Sequence, residues 1–154
     1  MAITQAMCTS FKQALLDAEM DFSSDTSDVF KIALYTSSAS LDATTSVYST
    51  SNEVTGSGYS AGGKTIIVST YPTTSGTTAY LSFKESGASG DTVTWASASI
   101  TARGALIYKY DGVTNPAIAV LNFGSDKTST SGDFQIAFPT ADATSAIIRI
   151  GTPT

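Results

Sequence analysis

The stretch VFKIALY, Val29 to Tyr35, decides the fold, because Phe30, Ile32 and Leu34 fall at every second position. That is the period of a strand that buries one face. Downstream the chain stays rich in β-branched and aromatic residues, broken by glycine, proline and serine-threonine turns. Eight strands are predicted, over residues 29–35, 65–71, 78–83, 92–96, 100–110, 117–123, 134–138 and 146–150. Turn chemistry separates them at Tyr71-Pro72, 87–91, Asp111-Gly112, Asn115-Pro116, 124–132 and Pro139. Many short strands without a second helical stretch predict a mainly β domain. Its architecture is an antiparallel β-sandwich, with jelly-roll-like and barrel-like closures as variants. Period two assigns the inward face to Phe30, Ile32, Leu34, Leu106, Tyr108, Leu121, Phe123, Phe134, Ile136, Phe138, Ile148 and Ile150.

Upstream of Val29 the period changes. Ile3, Met7, Phe11, Leu15, Ala18 and Phe22 are spaced by three and four, which predicts an N-terminal amphipathic helix of about four turns. Asp17, Glu19 and Asp21 oppose the dipole at its C-terminal end, so it stops near residues 18–20. Residues 1–28 are thus a helix and linker, and residues 29–154 the β-sandwich, within one compact domain. The connection over residues 36–64 is too long for an ordinary loop, which predicts an excursion that makes contacts of its own.

Of 154 residues only 14% are charged, and the net charge is −5 with eight basic residues, none of them clustered. Nothing here offers a footprint for nucleic acid or an anionic membrane. No apolar run approaches a membrane span and the first ten residues lack the pattern of a secretion signal, so folding in the cytosol is expected. Cys8 is the only cysteine, which excludes an internal disulfide.

The string GYSAGGKT, Gly58 to Thr65, matches the phosphate-loop pattern to the letter. A working loop follows a buried strand and opens a helix, whereas SNEVTGS precedes this one and the strand-like TIIVST follows. A glycine turn feeding a strand is the reading, and replacing Lys64 by alanine is expected to change little. Asp21, Asp25 and Asp28 lack the glycine and glutamate spacing of a calcium loop and read as turn formers. With no histidine in the chain, the usual base of a serine nucleophile is missing, and one cysteine cannot build a structural zinc site. Glu53, Glu85 and a few loop aspartates are the only candidates for paired-carboxylate chemistry. Neither an enzyme nor a cofactor is expected. Trp95 with Tyr59, Tyr71, Tyr80, Tyr108 and Tyr110 could form a sugar-binding platform, although aromatics at strand spacing more often pack.

Taken in order, ITQAMCTSFKQALL, FKIALYTSSASL, EVTGSGYSAGG (53–63), ITARGALIY (100–108), AVLNFGSDKTSTSGDFQIAFP (119–139) and AIIRI (146–150) cover most of the chain. Together they resemble a family of small virion structural proteins of tailed bacteriophages. The resemblance implies a non-enzymatic protein of the virion, assembled in the host cytoplasm, with no catalytic residues to carry over. A head decoration or cement protein bound to the major capsid protein is the first expectation. A tail, neck or baseplate component is the second, and an adhesion or carbohydrate-binding module the alternative of another class. Self-assembly is expected, as a trimer by analogy with virion proteins. The apolar helix stripe Ile3, Met7, Phe11, Leu15 and Phe22 is the expected interface, able to reach a neighbour because the linker after it is polar. Deleting residues 1–20 is accordingly expected to weaken assembly more than folding.

Overall fold

In the computed structural model, which describes residues 2–152, the β-rich sequence forms seven strands and one short helix. They are β1 (Ala6–Met7), α1 (Thr9–Leu16), β2 (Val29–Tyr35), β3 (Lys64–Ser75), β4 (Thr78–Glu85), β5 (Thr92–Tyr110), β6 (Ala117–Ala137) and β7 (Ile148–Ile150). All strand pairs are antiparallel, in the order β1-β6-β5-β2-β3-β4-β7. This single sheet bends until it nearly closes into a barrel, so the layers expected of a sandwich are opposite walls of one sheet. The open seam lies between β1 with β6 on one side and β7 on the other.

Eight predicted strands become fewer because two pairs fuse. Residues 92–96 and 100–110 join in β5, and 117–123 and 134–138 join in β6, so the expected turn at 124–132 is strand. The pairing bends the long hairpin instead of breaking it. β6 runs from Asn122 to Lys127 while β5 advances only from Gly104 to Ala102, and this bulge brings the Phe123 and Phe134 rings to 6.3 Å.

The helix is about half the expected length. Ile3 forms a parallel bridge with Leu41, and Ala6 and Met7 pair with Val120 and Ala119, which leaves only Thr9–Leu16 helical. The backbone of the first residues finds sheet partners, Thr4 N–H on Leu41 O and Cys8 N–H on Ile118 O, and this pairing overrides the helical period. Ala18, at φ 57°, ends the last turn.

Phe30, Ile32 and Leu34 face the barrel interior beside their β5 partners Lys109, Ile107 and Ala105. Phe22 stacks on Phe30 at 4.8 Å and meets Phe11 and Phe83 edge-on. Leu106 and Tyr108 pair with Ala33 and Lys31 and therefore lie on the opposite face from Phe30. They are buried all the same, because residues 36–63 cover that face. When both faces of a strand are covered, alternation cannot say which set points inward. Ile148 is buried as expected, whereas Ile150 is exposed and Phe123 only half-buried.

Candidate functional site

Residues 36–63 are fastened to the sheet by one carboxylate. Glu53 bridges to Tyr35 and is buried; its Oε2 accepts the Tyr48 hydroxyl at 2.6 Å. Its Oε1 accepts the Tyr59 hydroxyl at 2.6 Å and the Gly62 N–H at 2.7 Å. Tyr59 oxygen in turn accepts the Leu34 N–H of β2, and the Tyr108 hydroxyl of β5 donates to Gly62 O, both at 2.9 Å. Tyr48 lies flat on Tyr108, centroids 4.6 Å apart. A buried carboxylate with three donors is satisfied and rigid. Burial, and after it the Glu53 carboxylate that takes their protons in hydrogen bonds, pushes Tyr48 and Tyr59 far above the ordinary phenol range. Burial moves Tyr108 up to about 12. These hydroxyls stay protonated at working pH, as donors to the carboxylate and to the backbone that clamp the loop to the sheet.

The phosphate-loop-like string is part of this clamp. Gly63, at φ +68°, has no room for a side chain, since a Cβ there would press into the Ile32 carbonyl; a Cβ on Gly58 would sit 2.7 Å from Ala98 Cα. Lys64 then opens β3 and donates to the Glu85 carboxylate and to Thr94 O, while Thr94 N–H donates to Glu85 Oε2 at 2.9 Å. Burial works against the Glu85 carboxylate, but the Lys64 and Thr94 bonds outweigh it and hold the group below its usual range. Lys64 therefore ties β3, β4 and β5 together, contacts that the sequence reading of a plain glycine turn did not include. Glu53 and Glu85, the carboxylates considered for hydrolysis, are engaged in separate fastenings.

The stripe expected at an interface lies mostly within the chain's own core. Ile3, Phe11 and Phe22 are buried, and Met7 and Leu15 are half-buried against the same cluster. The linker does not let the helix reach away, because Lys109 bonds to Asp28 Oδ1 and to Glu19 O, both at 2.8 Å. Deleting residues 1–20 thus removes side chains of the chain's own core, so a loss of folding stability is expected with it. Asp21 does form turns, accepting the Ser23 N–H. The aromatic platform is not assembled either: Trp95 is buried, tilted against Tyr59 and edge-on to Phe134.

What the chain leaves bare is part of one sheet face. Val29 pairs with Tyr110, and continuing the β2–β3 register by one step from Phe30↔Ile66 sets Val29 opposite Ile67. Tyr110, Val29 and Ile67 therefore form a row across three strands, and all three are exposed. The register of this row was not readable from the sequence, because its members lie in segments far apart. Comparison with known protein families, curated proteins and solved structures finds no match.

Proposed function

We propose that this chain is a non-enzymatic virion structural protein of a tailed bacteriophage, acting as a decoration or cement protein that self-associates and binds the capsid shell. The sequence resemblance supplies the phage assignment. The observation that supports a contact role is the division of labour among the polar groups. The buried carboxylate and its tyrosines clamp the chain's own loop, while a row of apolar side chains is left facing solvent. Small repeated contacts of this kind gain strength by multivalency on a lattice. A tail, neck or baseplate position uses the same chemistry and is the second reading. Quantitative mass spectrometry of purified particles tests both. Hundreds of copies per particle support the head, and small multiples of three or six support the tail. Absence of the chain from particles purified by density gradient overturns the proposal.

A further inference from the structure

We propose that the open seam of the barrel receives an extended segment of another protein as an added strand, antiparallel to both β1 and β7. This rests on the reading above that the chain binds a protein shell, and it names the site and the form of what binds there. Strand direction sets the requirement. Every neighbouring pair in the order β1-β6-β5-β2-β3-β4-β7 is antiparallel, so β1 and β7, at the two ends, run the same way. They cannot close on each other in the pattern of the rest of the sheet. One strand running against both completes an even, all-antiparallel ring.

The backbone of both lips is set for such a strand. Cys8 N–H donates to Ile118 O, so Ala6 and Cys8 bond toward β6, and alternation turns the N–H and C=O of Gln5 and Met7 the other way. On the far lip, the two-residue turn Gly76-Thr77 closes on the hydrogen-bonded pair Ser75↔Thr78, which makes Tyr80 bond to β3. Ala79 and Leu81 then bond to Ile150 and Ile148, and Arg149 turns its N–H and C=O away from β4. Among the described residues these groups of Gln5, Met7 and Arg149 have no backbone partner. All three residues line one cavity of about 600 Å³.

Side chains narrow the occupant further. Met7 lies in a row with Ala119, Ile107 and Ile32, on the interior face. Ile148 faces the same way beside Leu81, whereas Arg149 lies on the outer face, exposed, with no carboxylate at ion-pair distance among the described residues. The segment that fits alternates apolar residues toward the interior with polar ones toward solvent, and sets a carboxylate beside Arg149. Strand addition of this kind takes its affinity from main-chain bonds and its specificity from alternate side chains. A second copy is a poorer donor. Its strands are already paired in its own sheet, and β7 set against β7 about a two-fold axis opposes like charges at Arg149.

The test is amide hydrogen exchange by NMR on the full chain, with two capped probe peptides, Thr-Val-Glu-Val-Thr-Val-Thr and the same peptide with Lys in place of Glu. In the free chain the Met7 and Arg149 amides are expected to exchange about tenfold or more faster than those of Cys8 and Ile148. The Glu peptide is expected to bind saturably below about 1 mM and to slow Gln5, Met7 and Arg149 together. The Lys peptide is expected to bind several-fold more weakly, and Arg149→Glu, checked for an unchanged melting curve, to reverse that order. The Glu peptide N-methylated at every second residue, with one edge blocked, is expected not to bind. No saturable binding of either peptide, or protection that falls outside the seam, overturns the proposal. Seam amides that slow with rising chain concentration and no peptide put a second copy there and overturn it too. Peptide binding as expected, with the chain absent from purified particles, leaves the seam standing and removes the virion reading; a chain present on particles that binds neither peptide does the reverse.

Discussion

The outer face of β2 and β5 has two halves, built by the same strands and differing in what lies over them. Toward Tyr35 the side chains of Ala33, Tyr35, Leu106 and Tyr108 are buried under residues 36–63; toward Val29 the side chains of Val29 and Tyr110 meet water. Hydrophobicity does not separate the halves, since a valine and a tyrosine are bare while two other tyrosines are covered. The difference is where the clamp sits. Glu53 gathers Tyr48, Tyr59 and Gly62 over one half, and the loop held by them ends at Gly63, where the backbone turns into β3. In this protein a polar cluster decides which apolar surface is inside.

That contrast can be broken from the covered side. Gly63→Ala is expected to have the largest effect, about 4 kcal/mol or more, because the new Cβ meets the Ile32 backbone at a positive φ. Urea unfolding measures it, and a loss below about 1 kcal/mol means the loop does not enter β3 as described. Glu53→Ala is expected to cost about 3 kcal/mol, since two tyrosine hydroxyls and the Gly62 N–H lose their buried acceptor. Limited proteolysis should then cut within residues 36–63 before the β5–β6 hairpin. Equal cleavage in both would show that the loop is not separately clamped.

Smaller effects sharpen the boundary between the halves. Lys64→Ala is expected to cost about 1 kcal/mol, modest because both partners of its ion pair are about a third exposed, and the loss should shrink in high salt. At the hairpin tip beyond Tyr110, Asp111 takes hydrogen bonds from the Thr114 hydroxyl and from the N–H groups of Asn115, Val113 and Thr114, which hold its carboxyl well below the usual range. Its stabilising effect is complete above the unfolded value near 4 and is lost as pH falls through the lower folded value. Asp111→Asn should lower the melting temperature by a few degrees at pH 7, and the gap should close in acid. A gap independent of pH would contradict the assignment. The smallest effect belongs to the bare half: Val29→Ser should change monomer stability by less than about 0.5 kcal/mol in calorimetry under conditions where the chain is monomeric.

Much of the fold was legible because β-branched alternation is a local signal, and β2 occupies residues 29–35 as predicted. The fused hairpin was not legible. GSDKTSTSGD reads as a turn by composition, yet a strand largely exposed along this stretch needs no alternation of apolar residues. Ile3 and Met7 kept helical spacing while taking sheet partners that lie far along the chain. Of the clamp, one signal was present: Glu53 is the single glutamate in a long, weakly charged stretch, with Tyr48 and Tyr59 on either side of it. A lone glutamate flanked by tyrosines in such a segment points to a buried acceptor. The bare row gave no comparable sign, since Val29, Ile67 and Tyr110 meet only through register.

The strand order also sets a timetable. The β3–β4 and β5–β6 hairpins join near neighbours, but β2 gains its second partner only with β5, and Ala6 waits for Val120. Loop closure over such distances makes folding slow, in the range of milliseconds to seconds. On a ribosome, where N-terminal segments usually fold first, β1 lacks its partner until the residues of β6, more than a hundred positions later, have emerged.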